Sequence, residues 1–410
     1  MSQPKIAVTG IGINSAFGTG LDVNAKALQD GVRSVIRAPE SWQTHRLRSQ
    51  VCGDIRVDGL ADLFDRKQNR FLCESALLAA ASMVDAIKDS GLSDSDVQSP
   101  ETGLIVGTGA GASINDVLFL CDRVRERGAS KVGAYHVPVI MGSSLSANLG
   151  SIFKIHGHSY SITSACATSA HAIMLGMDTI RSGRQKRVFV GGAEDISPFS
   201  AGSFDGMRAL TSDFNDAPER ASRPLDKNRD GFVFSGGAGI LLLENYEVAK
   251  ARGAHIHGII AGAAASCDGD QMVVPNGVGA EQAMRAALND ASVNAEQIDY
   301  VNLHATSTPA GDIVELDATL RVFNGNPPPF SSTKSMTGHA LGAAGSQEAI
   351  FCILMMQQEF LAPNVNLDDP DDKVVGLPVV TETCEASPTT VLSNSFGFGG
   401  TNCSLVIQKY

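Results

Sequence analysis

Cys166 lies in the segment TSACATSAH, residues 163–171, directly after the strand-like run SYSIT. A cysteine at the N-terminus of a helix meets the positive end of the helix dipole, which lowers its pKa and favours the nucleophilic thiolate. Unpaired cysteine is also among the most frequently buried residue types. The position at a strand-to-helix junction therefore singles out Cys166, and we expect the other seven cysteines to be buried packing residues.

Two histidines occur in polar, glycine-containing loops at the ends of apolar runs, where active sites often form. They are His304 in VNLHATSTPAGD and His339 in KSMTGHALGAAG. Lys334 and Glu348 are candidates to polarise the surroundings of His339. Three hydroxyl residues are candidates to orient the ring of His304: Thr306, Ser307 and Thr308. The remaining seven histidines are expected at the surface or in hydrogen-bonded core positions.

The composition is that of a globular protein of 410 residues, with 43% hydrophobic and 19% charged residues. The formal charge of −12 opposes general binding to nucleic acids or anionic membranes, because both require basic surface. The eight cysteines form no CxxC pair and no Cys/His spacing typical of zinc, so we expect neither disulfides nor a metal. Without a signal segment or an apolar run of 18 residues, we expect a cytoplasmic protein.

Strand-like runs alternate with helical patterns along the chain, which is typical of an α/β fold. The strand-like runs include IAVTG (6–10), GLIVG (103–107), RVFVGG (187–192) and GILLLE (239–244). Helical patterns cover 73–91, 171–183 and 280–291. The apolar strands predict parallel sheets with helices on both faces. We place a boundary near residue 255, giving parts 1–255 and 256–410 that share one continuous core.

The segment GTGAGA at 107–112 formally matches the dinucleotide-binding pattern GxGxxG/A after a strand. It lacks a second strand that ends in an acidic residue some twenty positions later, because Asp122 lies in a helical pattern. We therefore favour glycines that allow a strand and a helix to pack closely.

Four segments in this order, TSACATSAH, NLHATSTPAGD, STKSMTGHALGAAGSQEAI and SNSFGFGGTN, resemble the β-ketoacyl-acyl-carrier-protein synthases, and most closely the synthase I type. The likeness extends from VTGIGINSAFG to the C-terminal strand. It implies a thiolase-like fold of two similar halves in five alternating helix and sheet layers, normally a homodimer. The implied reaction joins an acyl group to malonyl-acyl-carrier protein by a decarboxylating Claisen condensation, as in fatty-acid elongation.

The resemblance also implies roles for individual residues. Cys166 would accept the acyl group, and His304 and His339 would serve the decarboxylation. Lys334 and Glu348 would support the site, while the N–H groups of Cys166 and Phe398 would form the oxyanion hole and Phe398 would gate access. No cofactor is implied, since the substrates are carried as phosphopantetheine thioesters on acyl carrier protein.

Two small residues, Ala305 and Ala110, lie near the implied site. Ala305 stands where the family usually has glycine, and it would be strained by about 1 kcal/mol if this position required a positive φ. Ala110 corresponds to a position near the distal acyl pocket, where a small side chain leaves room for longer or bent chains.

Acyl carrier protein is acidic, so a chain with a charge of −12 must present a local basic patch to it. The family-matched candidates are Arg66, Lys67, Arg70, Arg127 and Lys131. Three other functions remain open. They are a polyketide or specialised ketosynthase with the same chemistry, a non-catalytic subunit that shapes the acyl tunnel of a partner synthase, and a cysteine hydrolase that uses Cys166 with one histidine.

Overall fold

The computed structural model describes residues 4–111 and 113–410. The described strands, β1 to β15 in chain order, are Ile6–Ser15, Gly18–Thr19, Val35–Arg37, Val51–Gly53, Thr102–Gly107, Ser159–Ile162, Arg187–Glu194, Gly237–Asn245, Gly258–Cys267, Tyr300–Asn302, Phe330–Ser331, Phe360–Leu361, Cys384–Glu385, Thr390–Gly397 and Thr401–Gln408.

The described α-helices, α1 to α15, are Leu21–Gln29, Glu40–Thr44, Arg66–Asn69, Glu74–Ser90, Asp94–Val97, Ile114–Arg127, His136–Ile140, Ser144–Phe153, Thr168–Arg181, Pro198–Gly206, Tyr246–Ala251, Val278–Ala291, Gly311–Val322, Lys334–Thr337 and Ala344–Gln358. Among the described residues, no helix has both the length and the apolar character that crossing a membrane requires.

The main sheet contains two series of strands with the same order. One series runs β6-β5-β7-β8-β1 and the other runs β11-β10-β14-β15-β9. In each series the first two pairings are parallel and the next two are antiparallel. An antiparallel pairing of β1 with β9, from Ile6 opposite Ile260 to Val8 opposite Gly258, joins the two series.

The prediction of parallel sheets is therefore wrong for half of these pairings. The sequence shows apolar runs because both faces of these strands are buried, and burial on both faces does not specify strand direction. Helices cover antiparallel strands such as β7 and β8 as completely as they cover β5. The expected strands and helices are otherwise present, with ends that differ by a few residues.

The two strand series form two sheet layers, and the helices form three further layers between and outside them. In the middle layer α9 and α15 pack against each other and against strands of both series. α4 and α8 cover the outer face of β5, β7 and β8, and α12 and α13 cover the outer face of the second series. α15 is apolar around most of its circumference because nearly all of it is buried. This arrangement confirms the thiolase-like α/β fold in five layers.

Glycines in GTGAGA serve close packing, as the sequence analysis favoured. A Cβ on Gly107 would lie 2.0 Å from the carbonyl oxygen of Ile162 and 2.6 Å from Cγ2 of Thr168. The Gly109 N–H donates a hydrogen bond to the buried carboxylate of Glu194 at 2.7 Å. A protein carboxylate thus occupies the position that a phosphate would need. Ala112, the last residue of this segment, lies outside the described residues.

The expectation that seven cysteines are buried holds for Cys52, Cys73, Cys352 and Cys403. It is wrong for Cys267, which is exposed at the end of β9, and for Cys384, which is exposed at the start of the two-residue strand β13. Cys121 on α6 is half-buried. Residue type alone predicted burial, whereas the position within the strand or helix decides it.

Candidate active site

Cys166 lies in the tight turn between β6 and α9, two residues before the helix begins. The turn places Ala165 in the left-handed region with φ of 49°, a conformation that is costly for a residue with a Cβ. Thr168 stabilises the turn, since its hydroxyl accepts a hydrogen bond from the Ser164 N–H at 2.9 Å and donates one to the Ala165 carbonyl at 2.7 Å. The sulfur is thereby held at the N-terminus of a 14-residue helix.

His304 follows β10, and a buried carboxylate on α13 holds its loop. Glu315 accepts hydrogen bonds from the backbone N–H groups of His304 at 2.8 Å and Ala305 at 2.7 Å. The side chain of Asn394 on β14 donates a third hydrogen bond to Glu315 at 3.1 Å. Burial raises the pKa of Glu315 to about 7, and the three donors oppose that rise. Glu315 therefore fixes the backbone that carries the His304 ring.

His339 follows α14 and Gly338, whose φ of 71° turns the chain toward the cavity. Its backbone N–H donates to the Val233 carbonyl at 2.8 Å, and its carbonyl accepts from the Ser235 N–H at 3.0 Å. The ring of Phe232 packs edge-on against the His339 ring with centroids 5.5 Å apart. Backbone pairing and aromatic packing together fix the orientation of this imidazole.

These three segments bring Cys166, His304 and His339 together. The Cys166 Sγ and one ring nitrogen from each histidine all lie within 4.8 Å of one another. The two imidazoles stand nearly perpendicular, at 87°, with centroids 5.1 Å apart. All three side chains line a cavity of about 390 Å³, which opens past the exposed edge of the loop that contains Phe398.

Both imidazoles are neutral near pH 7. Burial lowers the pKa of His304 and of His339 well below its ordinary value, and the positive charge of Lys334 lowers both further. His304 Nδ1 and both ring nitrogens of His339 have no hydrogen-bond partner among the described residues. Neutral rings with free nitrogens can donate to an oxygen that gains negative charge.

Lys334 and Glu348 form a buried ion pair beside the histidines. The Lys334 Nζ and the Glu348 Oε1 are 2.5 Å apart, and both side chains are almost fully buried. Burial raises the pKa of Glu348, and Lys334 opposes this rise. The structure places the two residues next to each other as one unit, in agreement with the sequence-based grouping.

The Cys166 thiol is neutral in the free protein, although its place at a helix N-terminus favours a lower pKa. Burial raises the pKa of Cys166 to about 12 and outweighs the opposing effects of Lys334 and of backbone N–H groups. Part of the side chain faces the cavity, but protein surrounds the sulfur on its other sides. The helix N-terminus is too weak to offset this desolvation.

The N–H groups of Cys166 and Phe398 both point toward the Cys166 sulfur. A Cβ on Gly397 would lie 2.8 Å from the Thr401 hydroxyl oxygen and 3.1 Å from the Cys166 nitrogen, so a side chain at this position would displace one of these neighbours. The Phe398 ring is 36% exposed at the cavity mouth and packs 6.1 Å from the ring of Phe204. Phe398 thus contributes a backbone donor inside the cavity and a side chain at its entrance.

Thr306 and Thr308 line the cavity, but neither bonds to the His304 ring within the described residues. Ser307 points elsewhere, because its hydroxyl accepts the Arg223 N–H and its own N–H donates to Asp312. The expectation that these hydroxyls orient His304 is therefore wrong. Glu315 fixes the loop instead, because it accepts hydrogen bonds from the backbone N–H groups of His304 and Ala305.

Ala305 is free of the strain that a positive φ would impose. It is not among the residues with positive φ, and the chain instead turns at Ser307, which has φ of 78°. The Ala305 methyl is buried, and its carbonyl accepts a hydrogen bond from Ser332 at 2.7 Å. An alanine is accommodated at this position without displacing His304.

Ala110 does not line the cavity and is exposed in the single chain. It follows β5, whose neighbour β6 ends the main sheet. The five candidate basic residues are also exposed. They lie on α3 or directly after it (Arg66, Lys67 and Arg70) and at the end of α6 or shortly beyond it (Arg127 and Lys131). A hydrogen bond of 3.2 Å from Arg70 to the Tyr135 hydroxyl links the α3 segment to the segment after α6.

Sequence reasoning missed two buried acids. Glu315 anchors the His304 loop, and the available signal was its place on the helix directly after NLHATSTPAGD. Glu194, at the end of β7, accepts hydrogen bonds from the N–H groups of Gly109 and Gly342, and burial raises its pKa to about 8. It joins the loop after β5 to the segment after His339, which no local pattern indicates.

The fold is that of a thiolase-like enzyme, and it brings one thiol and two imidazoles together in a single cavity. Family models described as the N-terminal and the C-terminal domain of β-ketoacyl synthase match residues 3–249 and 257–368. The chain belongs to the β-ketoacyl synthase family.

Three known proteins illustrate this similarity. The 3-oxoacyl-[acyl-carrier-protein] synthase 1 of Escherichia coli (strain K12) is 46% identical over 407 residues, covering 99% of each chain. A β-ketoacyl synthase from Burkholderia phymatum superposes with a TM-score of 0.93 at 32% identity, over 99% of this chain and 100% of that one. A type II polyketide ketosynthase, solved in complex with its acyl-carrier protein, has a TM-score of 0.89 at 26% identity and full coverage of both chains.

The raised pKa of Cys166 predicts how its alkylation depends on pH. Because only the thiolate reacts, the rate of modification by iodoacetamide should rise about tenfold per pH unit from about pH 7 to about pH 9.5 without levelling. Mass spectrometry of the peptide that contains Cys166 measures this rate separately from the exposed Cys267 and Cys384. A plateau near neutral pH would show a preformed thiolate and contradict the prediction.

Proposed function

We propose that this protein is a 3-oxoacyl-[acyl-carrier-protein] synthase of the synthase I type, which extends acyl chains by decarboxylating Claisen condensation. One observation carries the proposal: a thiol and two neutral imidazoles meet in one cavity, within 4.8 Å of one another. The full-length similarity to a synthase 1 supports the same conclusion. A condensing enzyme needs a nucleophile for the acyl group and donors for an enolate, and these are the groups present.

In the first half-reaction, Cys166 takes the acyl group from its carrier thioester. The sulfur forms a bond to the acyl carbonyl carbon, the carrier thiol leaves, and the Cys166 proton passes to that leaving thiolate. The N–H groups of Cys166 and Phe398 stabilise the oxyanion of the tetrahedral intermediate, since both already point at the reaction centre.

In the second half-reaction, the malonyl thioester loses carbon dioxide and its thioester oxygen gains enolate charge. His304 and His339 donate hydrogen bonds to that oxygen as neutral imidazoles. The enolate carbon then attacks the carbonyl carbon of acyl-Cys166, and the thiolate leaves and takes up a proton from solvent to restore the neutral thiol. Lys334 is a positioning residue that keeps the imidazoles neutral through its charge, and Glu348 balances that charge.

The reaction requires neither a metal nor an organic cofactor. The sulfur and the two ring nitrogens are ligand types that zinc accepts, and their separations would allow them to share one ion. However, the Lys334 ammonium acts on all three groups and disfavours a second positive charge in the same cavity. Decarboxylation and acyl transfer both proceed with the side chains already described.

The acidic carrier protein binds the basic residues of α3 and of the segment that ends α6. Arg66, Lys67, Arg127 and Lys131 form no ion pair with any described residue, so their charges remain available to a partner. The complex of a related ketosynthase with its acyl-carrier protein supports this type of partner. We place the reaction in the cytoplasm, with fatty-acid elongation as the pathway.

The chain acts as a homodimer through the face that contains β6 and α6. β6 ends the main sheet, and its outer edge has no strand partner among the described residues. α6 has no buried residue although it is amphipathic, and Tyr160 on β6 is 40% exposed. A second copy would cover this face and also Ala110. Each subunit comprises parts 1–255 and 256–410, the first with Cys166 and the second with both histidines.

Substitutions of the three central residues should separate the half-reactions. Cys166→Ala should abolish acyl transfer from acyl-carrier protein but retain decarboxylation of the malonyl thioester, because the enolate donors remain. His304→Ala or His339→Ala should lower decarboxylation by about a hundred- to thousandfold. Mass analysis of the Cys166 peptide and of the 3-oxoacyl product measures both steps, with exposed His158→Ala as the matched control. Free acid as the main product would instead indicate a hydrolase. The rates of condensation with a panel of acyl primers would distinguish fatty-acid from polyketide substrates.

Reversal of charge in the basic patch should weaken binding of carrier protein. The double variant R66E/K67E should raise the KM for acyl-carrier protein by about tenfold or more at low salt, with little change in kcat. The exposed Arg184, which lies away from α3 and α6 in sequence, provides the control R184E. Because R184E changes the net charge by two units and the double variant by four, an R184E effect on log KM of half that of the double variant would show a response to net charge alone and contradict the patch.

Disruption of the β6 face should dissociate the dimer. Tyr160→Asp should shift the protein toward monomers in sedimentation equilibrium at micromolar concentration, because it introduces a charge at a buried interface. Val375→Asp changes an equally apolar residue that is 68% exposed elsewhere, and it should leave the dimer intact. A monomeric parent protein would contradict the assembly.

A further inference from the structure

Arg208 is the sole lysine or arginine among the described residues that line the active-site cavity. The acidic residues of the lining are already engaged. Glu315 holds the His304 loop, and Asp268 accepts a hydrogen bond from Asn402 at 2.8 Å. The positive charge at the cavity therefore comes from two sources with different positions: Lys334 is buried beside the histidines, whereas Arg208 is exposed at the mouth.

The backbone holds Arg208 in an unusual conformation for an arginine. α10 ends at Gly206, and Arg208 has φ of 57° two residues later. The N–H of Arg208 bonds to the Asp205 carbonyl and that of Ala209 bonds to the Phe204 carbonyl, both at 3.0 Å. This pair of bonds is a Schellman motif, in which glycine is the preferred residue at the left-handed position. An arginine there costs about 1 kcal/mol relative to glycine.

The strained conformation does not by itself indicate a function, because Arg46 occupies the same motif after α2. Arg46 has φ of 58°, and the N–H groups of Arg46 and Leu47 bond to the Gln43 and Trp42 carbonyls. Arg46 is exposed as well, but it does not line the cavity. The difference between the two arginines is thus their location.

The position of Arg208 relative to the gate is set by aromatic packing. Phe204, one turn before Arg208, packs against Phe398 at 6.1 Å and against Phe232 at 5.3 Å. Phe232 in turn contacts the His339 ring. The last turn of α10 therefore forms one side of the entrance, and Arg208 lies on its outer rim. The guanidinium forms no ion pair or hydrogen bond with the residues that the structure describes.

We propose that Arg208 binds the phosphate of the phosphopantetheine arm as the arm threads through the cavity mouth. This inference rests on the proposed function, which brings a thioester on that arm to Cys166. The arm is neutral along its pantetheine portion and carries its negative charge only at the phosphate, on the carrier side. A guanidinium at the rim matches a phosphate in geometry and charge. The interaction positions the arm and contributes no step to the chemistry.

Phosphorylated and dephosphorylated substrates test the inference directly. The experiment measures acylation of Cys166 by an acyl-phosphopantetheine thioester and by the matching acyl-pantetheine thioester, without carrier protein. The parent enzyme should prefer the phosphorylated substrate by about three- to fivefold in kcat/KM, as expected for one exposed ion pair. Arg208→Gln and Arg208→Gly should remove this preference, and Arg208→Lys should retain most of it.

Controls keep the outcomes distinct. Arg208→Gly places the favoured residue at the left-handed position, so it should fold at least as well as the parent. Arg46→Gln removes an exposed arginine from the same motif and should keep the substrate preference. The inference is overturned if the parent enzyme does not distinguish the two thioesters. It is also overturned if Arg208→Gln keeps the preference while weakening only the carrier-linked substrate, because that result assigns Arg208 to an acidic residue of the carrier. Absence of condensation with every substrate would refute the proposed function instead.

Discussion

Burial of the active site is the constraint on which the chemistry depends. Low polarity around the cavity keeps His304 and His339 neutral, so they can donate hydrogen bonds without carrying charge. The same burial keeps Cys166 protonated in the free protein. The charges of Lys334 and Glu348, which form a buried ion pair beside the histidines, compensate each other. The hydrogen-bond donors of the site therefore remain available to stabilise negative charge when a substrate develops it.

Rigid elements hold this buried site together from separate directions. The thiol sits at the start of α9 in the middle layer, and the histidines follow β10 and α14 in the second strand series. Two buried acids fix the intervening loops, Glu315 below His304 and Glu194 between the loop after β5 and the segment after His339. Each acid accepts backbone N–H groups that would otherwise be unsatisfied, which offsets part of the cost of burying the carboxylate.

The entrance of the cavity differs from its interior in solvent exposure and in charge. Phe398 and Phe204 form an aromatic wall that is partly exposed, and Arg208 carries an uncompensated charge at its rim. The exposed cations of α3 and of the end of α6 surround no comparable cavity. The charge beside the histidines is therefore compensated within the protein, whereas several exposed arginines and lysines have no ion-pair partner among the described residues.

The sequence by itself determined the candidate site residues and the α/β class. Cys166, His304 and His339 were identifiable because glycine-rich loops at the ends of apolar runs are local signals, and long motifs preserve their order. The tertiary structure alone decided strand direction, the role of Glu315 and Glu194, and the protonation state of Cys166. The physical reason is that burial, unlike helix or strand pattern, depends on residues hundreds of positions apart. A helix N-terminus favours a lowered pKa of Cys166, but desolvation by the surrounding layers outweighs that effect.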